Sequence, residues 1–264
     1  MKETILSNVP GDHPWRSHIH WFDTIDSTNT RAKQMALSGA PHGTVLLAGH
    51  QTDGRGRMGR SFHSPAESGV YFSVILRPQC TPDRLMHLTC AAAVAACNAV
   101  EQAAGFRPGI KWTNDLVCGN RKIAGILTEL ITVGNETCAI VGIGINCSQQ
   151  ESDFSEDIRS FAGSLTMAVG KPIDRCTVAV ELIRALKRMD DVLLTEKEAL
   201  MARYRADCIT VGRFVSLLRA DTVRYGQALC VDDDGALVVR FADGSTEAVQ
   251  SGEVSVRGMY GYIS

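Results

Sequence analysis

GIKWTNDLVCGNRKIAGILTELITVGNETCAIVGIGINC, residues 109–147, is the stretch that decides the fold class. Its apolar, β-branched runs are interrupted at residues 118–120 (Cys-Gly-Asn) and 134–135 (Gly-Asn), which are typical turn sequences. The pattern predicts two strands within residues 109–131 and a third over residues 136–147, joined as hairpins. Sequential hairpins build an antiparallel sheet, so we expect an α+β fold rather than a doubly wound one.

The flanking sequence predicts further strands and helices. Strands are expected at residues 19–22, 44–50 and 69–76, and helices from about residue 30 to 39, at 84–105 and within 177–208. After residue 208 the pattern changes to short strands separated by DDDG and ADG turns, as in a small all-β module. We therefore predict two domains, residues 1–208 and residues 209–264.

Composition and charge exclude several classes. The chain has 264 residues, 45% of them hydrophobic, and a formal net charge of −2, which gives no support for general nucleic-acid or membrane-surface binding. The longest apolar runs fall short of the ~20 residues of a membrane span, and the first residues do not resemble a signal peptide. Nine cysteines without a C-x-x-C pair indicate free thiols in a reducing compartment. We expect a cytoplasmic protein, with metal ligands unassigned.

GRGRMGR, residues 54–60, alternates glycine with arginine between two predicted strands. It satisfies G-x-G-x-x-G, but a dinucleotide fingerprint requires a helix to open directly from the loop, and Pro65 and Gly69 follow instead. The remaining interpretations are a solvated surface turn and a flexible loop whose guanidinium groups bind phosphate or carboxylate.

Three further stretches carry polar or glycine residues where burial is expected. Residues 111–127 place charged side chains in apolar sequence, with Gly125 in mid-strand; a ligand slot or a bulged hairpin with solvated ends would explain this. VGIGIN, residues 141–146, has glycines that clear one face of a strand, for a slim ligand or for close packing. DSTN, residues 26–29, can cap a helix and can also contact a ligand.

Together these four stretches, in this order, resemble the biotin protein ligases. SGEVSVRG, residues 251–258, is similar to part of the small SH3-like C-terminal domain of that family. The resemblance implies a class II synthetase-like catalytic domain, with a mixed, largely antiparallel sheet and helices on one side, followed by an SH3-like β-barrel. It further implies ATP-dependent biotinylation of a lysine on a biotin carboxyl carrier protein through biotinyl-5′-AMP, with Mg²⁺.

Site residues are carried over from this resemblance position by position. Those implied to bind biotin are Ser27, Thr28, Asn29, Gln51, Gly54, Arg55, Gly125, Leu127 and Gly142. Those implied to bind ATP are Arg57, Arg60, Phe62, Lys111, Asn114, Lys122, Asn146 and Arg257. Lys122, Arg57 and Asp115 are implied to be catalytic.

The resemblance leaves alternatives open. About eighteen residues precede Ile19, and they include Pro10, Gly11 and Pro14, so we expect no helix-turn-helix domain and no DNA binding. The expected partner is a carrier protein, and a homodimer is left open. Two other functions stay under consideration: a lipoate or octanoate ligase or transferase of similar fold, and a non-catalytic biotin-binding module.

Overall fold

The computed structural model describes residues 1–219, 222–250 and 255–257. Its helices are α1 (Lys2–Asn8), α2 (Thr28–Leu37), α3 (Leu88–Ala104), α4 (Glu156–Arg159), α5 (Leu165–Val169), α6 (Arg175–Val192) and α7 (Lys197–Asp207). Its strands are β1 (Ile19–Ile25), β2 (Thr44–Gln51), β3 (Gly69–Leu76), β4 (Gly109–Lys111), β5 (Asp115–Cys118), β6 (Arg121–Val133), β7 (Glu136–Asn146), β8 (Phe214–Arg219), β9 (Thr222–Val231), β10 (Leu237–Phe241), β11 (Thr246–Val249) and β12 (Ser255–Arg257).

The first seven strands form one mixed sheet in the order β1-β2-β3-β7-β6-β5-β4. Only β1 and β2 pair in parallel within this sheet, and every other neighbouring pair is antiparallel. The long β6–β7 hairpin keeps its register from Ala124 opposite Ile145 to Val133 opposite Glu136. The predicted α+β class with a largely antiparallel sheet is confirmed.

One strand prediction was wrong in detail. Residues 109–118 were expected to form a single strand, but the chain leaves the sheet at residues 112–114 and returns as β5. Trp112 N–H donates to Thr210 Oγ1 (2.9 Å), and the Thr113 carbonyl accepts from Tyr204 (3.0 Å). These partners lie almost 100 positions away, so local strand propensity could not reveal the break.

Helices cover both faces of the sheet, whereas the resemblance implied one side. Alternate residues of the central strands point to opposite faces. On one face, Val45 and Val74 belong to a large core that includes α3 and α6. On the other face, Leu46 and Ile75 pack with Ala32 and Ala36 of α2. Because α2 covers only part of that second face, the rest is left for a pocket.

The remaining five strands form a separate antiparallel sheet in the order β11-β10-β9-β8-β12. It contacts the first sheet through the segment that links the two, since Ile209 N–H donates to the Ile110 carbonyl (2.9 Å). The Trp112 indole N–H also donates to the Gly235 carbonyl (2.9 Å) across this contact.

The N-terminal segment packs on the first sheet's helices. Ile5, Val9 and Trp15 are buried, and the Arg16 guanidinium donates to the Leu6 and Val9 carbonyls. The Arg184 guanidinium of α6 donates to the Asn8 carbonyl (3.1 Å). None of the described helices is long and apolar enough to cross a membrane.

Candidate active site

An open pocket lies on the face of the sheet that α2 leaves uncovered, and its empty space, including the part open to solvent, is about 460 Å³. It is bounded by the start of α2, the end of β2, the arginine loop (residues 54–60) and the centres of β6 and β7. Eighteen residues line it: Ser27, Thr28, Asn29, Gln51, Arg55, Gly56, Arg57, Phe62, Tyr71, Phe72, Asn114, Lys122, Gly125, Ile126, Leu127, Gly142, Ile143 and Gly144. Most of the residues singled out in the sequence therefore meet in one place.

One end of the pocket is a polar wall, formed by Ser27, Thr28 and Gln51. Ser27 caps α2, its hydroxyl accepting from Thr30 N–H at 3.5 Å, so the helix start is fixed beside the pocket. Gln51 Oε1 accepts from both the backbone N–H (2.8 Å) and the hydroxyl (3.0 Å) of Thr28. The wall presents neutral hydrogen-bonding groups and no charge, which suits a neutral polar ligand group.

The floor of the pocket contains three glycines, Gly125, Gly142 and Gly144, and neighbouring side chains pack over each of them. A Cβ atom added at Gly142 would lie 2.0 Å from Asn29 Oδ1, so this glycine makes room for the Asn29 amide. A Cβ atom at Gly144 would lie 2.4 Å from the Phe62 ring, and one at Gly125 would lie 3.5 Å from it. The phenyl ring therefore occupies space that the missing side chains of Gly125 and Gly144 leave over the sheet.

The opposite end of the pocket is cationic. Arg57 Nη1 donates to Asn114 Oδ1 at 2.8 Å, and Asn114 Nδ2 donates to the Ile126 carbonyl at 2.9 Å. Lys122 Nζ lies 2.7 Å from Asp115 Oδ1. Burial lowers the pKa of the Arg57 guanidinium, while the negative charge of Asp115 raises it. Arg57 and Lys122, each held by a different partner, thus line the same pocket, where they would stabilise an anionic group.

The arginine loop folds back as a narrow turn. Phe62 N–H donates to the Gly54 carbonyl and Gly56 N–H to the Arg60 carbonyl, both at 2.7 Å. At its tip Met58 adopts a left-handed conformation with φ 56° and is 60% exposed. Arg57 joins the loop to Asn114, and Phe62, just after the loop, packs on the glycines of the sheet, so the loop lies over the cationic end of the pocket.

Some predicted site residues do not line the pocket. Asp115 lies beside it through its pair with Lys122, and Gly54 lies under the loop, where a Cβ atom would come within 2.4 Å of the Phe62 carbonyl. Asn146 is buried with its amide bonded to the Gly163 carbonyl (2.9 Å) and to Gln149 (3.2 Å). Arg60 and Lys111 are further non-lining residues, and the side chain of Arg257 lies outside the described part of the chain.

Several lining residues were not among the site residues named from the sequence: Gly56, Tyr71, Phe72, Ile126, Ile143 and Gly144. Gly144 carried a visible signal, because it alternates with Gly142 along β7. Tyr71 lies in an unbroken apolar run, which hides its function; its hydroxyl donates to the Pro65 carbonyl (2.7 Å), and burial raises its pKa to about 12. It therefore stays protonated and acts as a fixed part of the pocket wall.

Comparisons with known proteins agree with this geometry. The family model for the biotin/lipoate A/B protein ligase family matches residues 21–146, and the model for the biotin protein ligase C-terminal domain matches residues 210–257. The biotin–[acetyl-CoA-carboxylase] ligase of Mycobacterium tuberculosis is 33% identical over 234 residues, covering 86% of this chain and 85% of that protein. This chain belongs to the biotin protein ligase family.

Other members of the biotin protein ligase family extend the match. The bifunctional ligase/repressor BirA of Bacillus subtilis is 35% identical over 229 residues, which are 86% of this chain and 70% of that protein. The biotin protein ligase of Aquifex aeolicus, solved in complex with biotin and ATP, superposes with a TM-score of 0.79 at 29% identity, covering 91% of this chain and 98% of that one. The predicted family, its fold and its ligase activity are thereby confirmed.

Proposed function

We propose that this protein is an ATP-dependent ligase that converts biotin into biotinyl-5′-AMP and transfers the biotinyl group to a lysine of a biotin carboxyl carrier protein. Pyrophosphate leaves in the first step and AMP in the second. One observation carries the proposal: a single pocket has a neutral polar wall at one end, a glycine floor in the middle and two cations at the other end. Biotin presents a neutral ureido group, an apolar tail and a carboxylate in the same order.

The polar wall accounts for binding of the ureido group. Ser27, Thr28 and Gln51, with the Arg55 backbone, would hydrogen-bond this group, as the family resemblance implies. Gly125, Leu127 and Gly142 line the middle of the pocket, where the tail would lie. The Asn29 amide packs over Gly142, so its proposed contact with biotin lies on the side of the pocket formed by the sheet.

The cationic end accounts for the first half-reaction. The biotin carboxylate attacks the α-phosphorus of ATP, so a new C–O–P linkage forms while the bond to pyrophosphate breaks. Two anions must approach each other, and fixed positive groups that stabilise the developing charge are the main contribution a protein can make. Lys122 would bridge the carboxylate and the α-phosphate, and Arg57 would bind the same pair from the arginine loop.

Nucleotide contacts are proposed around this end. Phe62 offers an aromatic face for adenine, and it lies on Gly144, so it must shift if the nucleotide uses the same space. Arg60, Lys111, Asn114, Asn146 and Arg257 complete the proposed ATP set. The Asn146 amide would have to exchange its bond to Gly163 for one to the nucleotide.

Mg²⁺ is proposed to accompany ATP. The described residues contain no cluster of three or more metal-ligating side chains, and Asp115 is the carboxylate nearest the cations. This donor set fits Mg²⁺, which keeps most of its waters and is bound by phosphates plus one or two carboxylates. When bound, Mg²⁺ would neutralise phosphate charge, and Asp115 would be its protein ligand.

The second half-reaction requires a neutral amine. The acceptor lysine attacks the activated carbonyl, its nitrogen forms an amide, and AMP departs with the electrons of the broken C–O bond. Asp115 lies at the cationic end and can orient the amine or take its proton. The arginine loop covers the adenylate, which excludes water until the acceptor arrives.

Biotin-dependent exchange of pyrophosphate into ATP tests the proposal, because it reports adenylate formation without an acceptor. We expect exchange with biotin and none with lipoate or octanoate. Exchange with lipoate alone would instead support the related ligase, and biotin binding without exchange would support a non-catalytic biotin-binding module. Transfer to a purified carrier domain then tests the second half-reaction.

Location and partners complete the proposal. We place the protein in the cytoplasm, because its nine cysteines are free thiols, as is usual in a reducing compartment, and we expect no sequence-specific DNA binding. The latter is supported by the net charge of −2. Anisotropy titration with operator DNA, with and without biotin and ATP, tests this. Light scattering would decide between a monomer and a homodimer.

A further inference from the structure

A buried serine lies directly behind the polar wall. Ser73 of β3 is 0% exposed, and its hydroxyl oxygen lies 2.6 Å from Asn29 Oδ1 and 2.8 Å from Thr28 Oγ1. Ser73 does not line the pocket, but it contacts two residues that do. Because buried polar groups need hydrogen-bond partners, these two oxygen atoms fix the orientation of the Ser73 hydroxyl.

The orientation of the neighbouring Asn29 amide is fixed by its other partners. Asn29 Nδ2 donates to the Leu127 carbonyl (3.2 Å) and to Glu129 Oε2 (3.0 Å), and the Glu129 carboxylate also accepts from Lys33. An ionised carboxylate and a carbonyl can only accept, so the amide nitrogen must face them. Asn29 Oδ1 consequently faces Ser73, whose single hydroxyl proton is shared between Asn29 Oδ1 and Thr28 Oγ1 in a three-centre hydrogen bond.

The donor and acceptor atoms of Thr28 and Gln51 can be assigned in the same way. The Thr28 backbone N–H can only donate, so the Gln51 atom that it meets at 2.8 Å is the amide oxygen. The Thr28 hydroxyl gives its proton to that oxygen as well, and Gln51 Nε2 donates to Ser64 Oγ at 2.9 Å. One lone pair of Thr28 Oγ1 and one N–H of Gln51 are left for a ligand.

We propose that Ser73, anchored through Asn29 by Glu129, is a positioning residue that sets this donor and acceptor pattern and so determines ligand specificity. A ligand that carries an N–H beside a carbonyl oxygen, as a cyclic urea does, satisfies both groups of the wall. A hydrocarbon or dithiolane ring satisfies neither, and it would leave buried polar groups unpaired. The inference rests on the proposed function, because it assumes that the wall receives the biotin ureido group.

Removing the Ser73 hydroxyl tests the proposal. Ser73→Ala takes the donor away from Asn29 and Thr28 and is expected to weaken binding of biotin about tenfold, the effect of one hydrogen bond. Desthiobiotin keeps the urea and should lose the same factor, whereas inhibition by octanoate, which has no urea, should not change. KM for biotin should rise, while kcat at saturating biotin and KM for ATP stay at native values.

Two further variants separate positioning from general stability. Ser73→Cys keeps a weak donor and is expected to restore part of the biotin affinity. Thr128→Val removes a hydroxyl adjacent in sequence to Glu129, one that bonds to Thr89 instead, and should leave all affinities at native values. Thermal unfolding midpoints are recorded for each variant, so that a folding defect is recognised.

The outcomes distinguish this inference from the proposed function. If the native protein does not bind biotin, the proposed function fails first. If the native protein binds biotin and Ser73→Ala binds it equally well, the positioning role of Ser73 is refuted alone. Equal losses for biotin and octanoate, or a parallel rise of KM for ATP, would also refute it, because a purely structural serine would give that result.

Discussion

Lys122 Nζ and Asp115 Oδ1 lie 2.7 Å apart, on neighbouring strands at the cationic end of the pocket. Both side chains are partly exposed, at 28% and 20%, so the pair adds little to stability, as is usual for ion pairs that water can reach. Its value is positional. The carboxylate holds the ammonium group over the place where the biotin carboxylate and the α-phosphate are proposed to meet, and binding of these anions would release the carboxylate.

Lys122→Ala should therefore impair chemistry far more than folding. We expect biotin-dependent pyrophosphate exchange to fall about 10²- to 10³-fold, the usual effect of removing one electrostatic donor to a transition state. The thermal unfolding midpoint should stay near the native value. Lys197→Ala is the matched control, because that lysine pairs with Asp234 (2.5 Å) on the surface. Near-native adenylation by Lys122→Ala would rule out its bridging role.

Arg57→Gly should release the adenylate prematurely. Arg57 connects the arginine loop to Asn114 by a 2.8 Å bond, and a hydrogen bond to a charged group contributes about 1.5–3 kcal/mol. We expect the off-rate of biotinyl-5′-AMP to rise on the order of tenfold or more, measured by chase with unlabelled ligand, and bystander lysines to become labelled.

Met58→Gly is the control for loop flexibility. Met58 already has φ 56°, so glycine fits without strain and adds freedom without removing a cation. Retention of the adenylate in this variant together with its loss in Arg57→Gly would assign the effect to the guanidinium. Equal leakage from both variants would assign it to loop mobility, against the prediction.

The sheet and most of the residues that line the pocket could be predicted from the sequence, because both depend on local patterns. Hairpin turns at residues 118–120 and 134–135 set β5, β6 and β7 side by side, which brings Gly125 opposite both Asp115 and Gly144 and places Lys122 on the same strand, opposite Val117. Glycines at alternate positions indicated a cleared strand face. Identification of the ligand classes depended on the family resemblance, since the residues alone left a phosphate loop and a solvated turn both open.

What the sequence did not predict depends on contacts between distant segments. Nothing local shows that Asn29 fills the space over Gly142, or that Phe62 lies on Gly144. The side chain of Asn146 turns to Gly163 and Gln149, which belong to a later loop. The positions of these side chains are determined by packing and by the hydrogen-bonding requirements of buried groups. Local sequence patterns carry no information about either.

Trp112→Phe should weaken the contact between the two sheets. The indole N–H donates to the buried Gly235 carbonyl at 2.9 Å, and phenylalanine keeps one aromatic ring while removing the donor and part of the buried volume. We expect the free energy of unfolding to fall by about 1–3 kcal/mol, the penalty for an unsatisfied buried acceptor. Trp21→Phe is the control, since its indole bonds Asp23 (2.8 Å) in an exposed position, and its effect should stay within about 0.5 kcal/mol.

His87 should make stability depend on pH. Its ring is 1% exposed at the start of α3, Nε2–H donates to the Leu193 carbonyl (3.0 Å), and Nδ1 is buried without a partner among the described residues. Desolvation by burial lowers the pKa of the imidazole, and the hydrogen bond to Leu193 raises it less. As pH falls below the unfolded value of about 6.5, the unfolded chain takes up a proton before the folded one does.

The contribution of His87 is therefore fully present above pH 6.5 and is lost as pH falls from there towards the lower folded pKa. We expect the free energy of unfolding, measured by urea titration at pH 7.5, 6.5 and 5.5, to decrease with acidity. His87→Gln keeps a donor for the Leu193 carbonyl but does not titrate, so the decrease should become shallower. His13 and His20, whose pKa values burial also lowers, should account for the slope that remains. An unchanged slope in His87→Gln would show that the imidazole binds protons equally in the folded and unfolded states. That result would refute its role in the pH dependence.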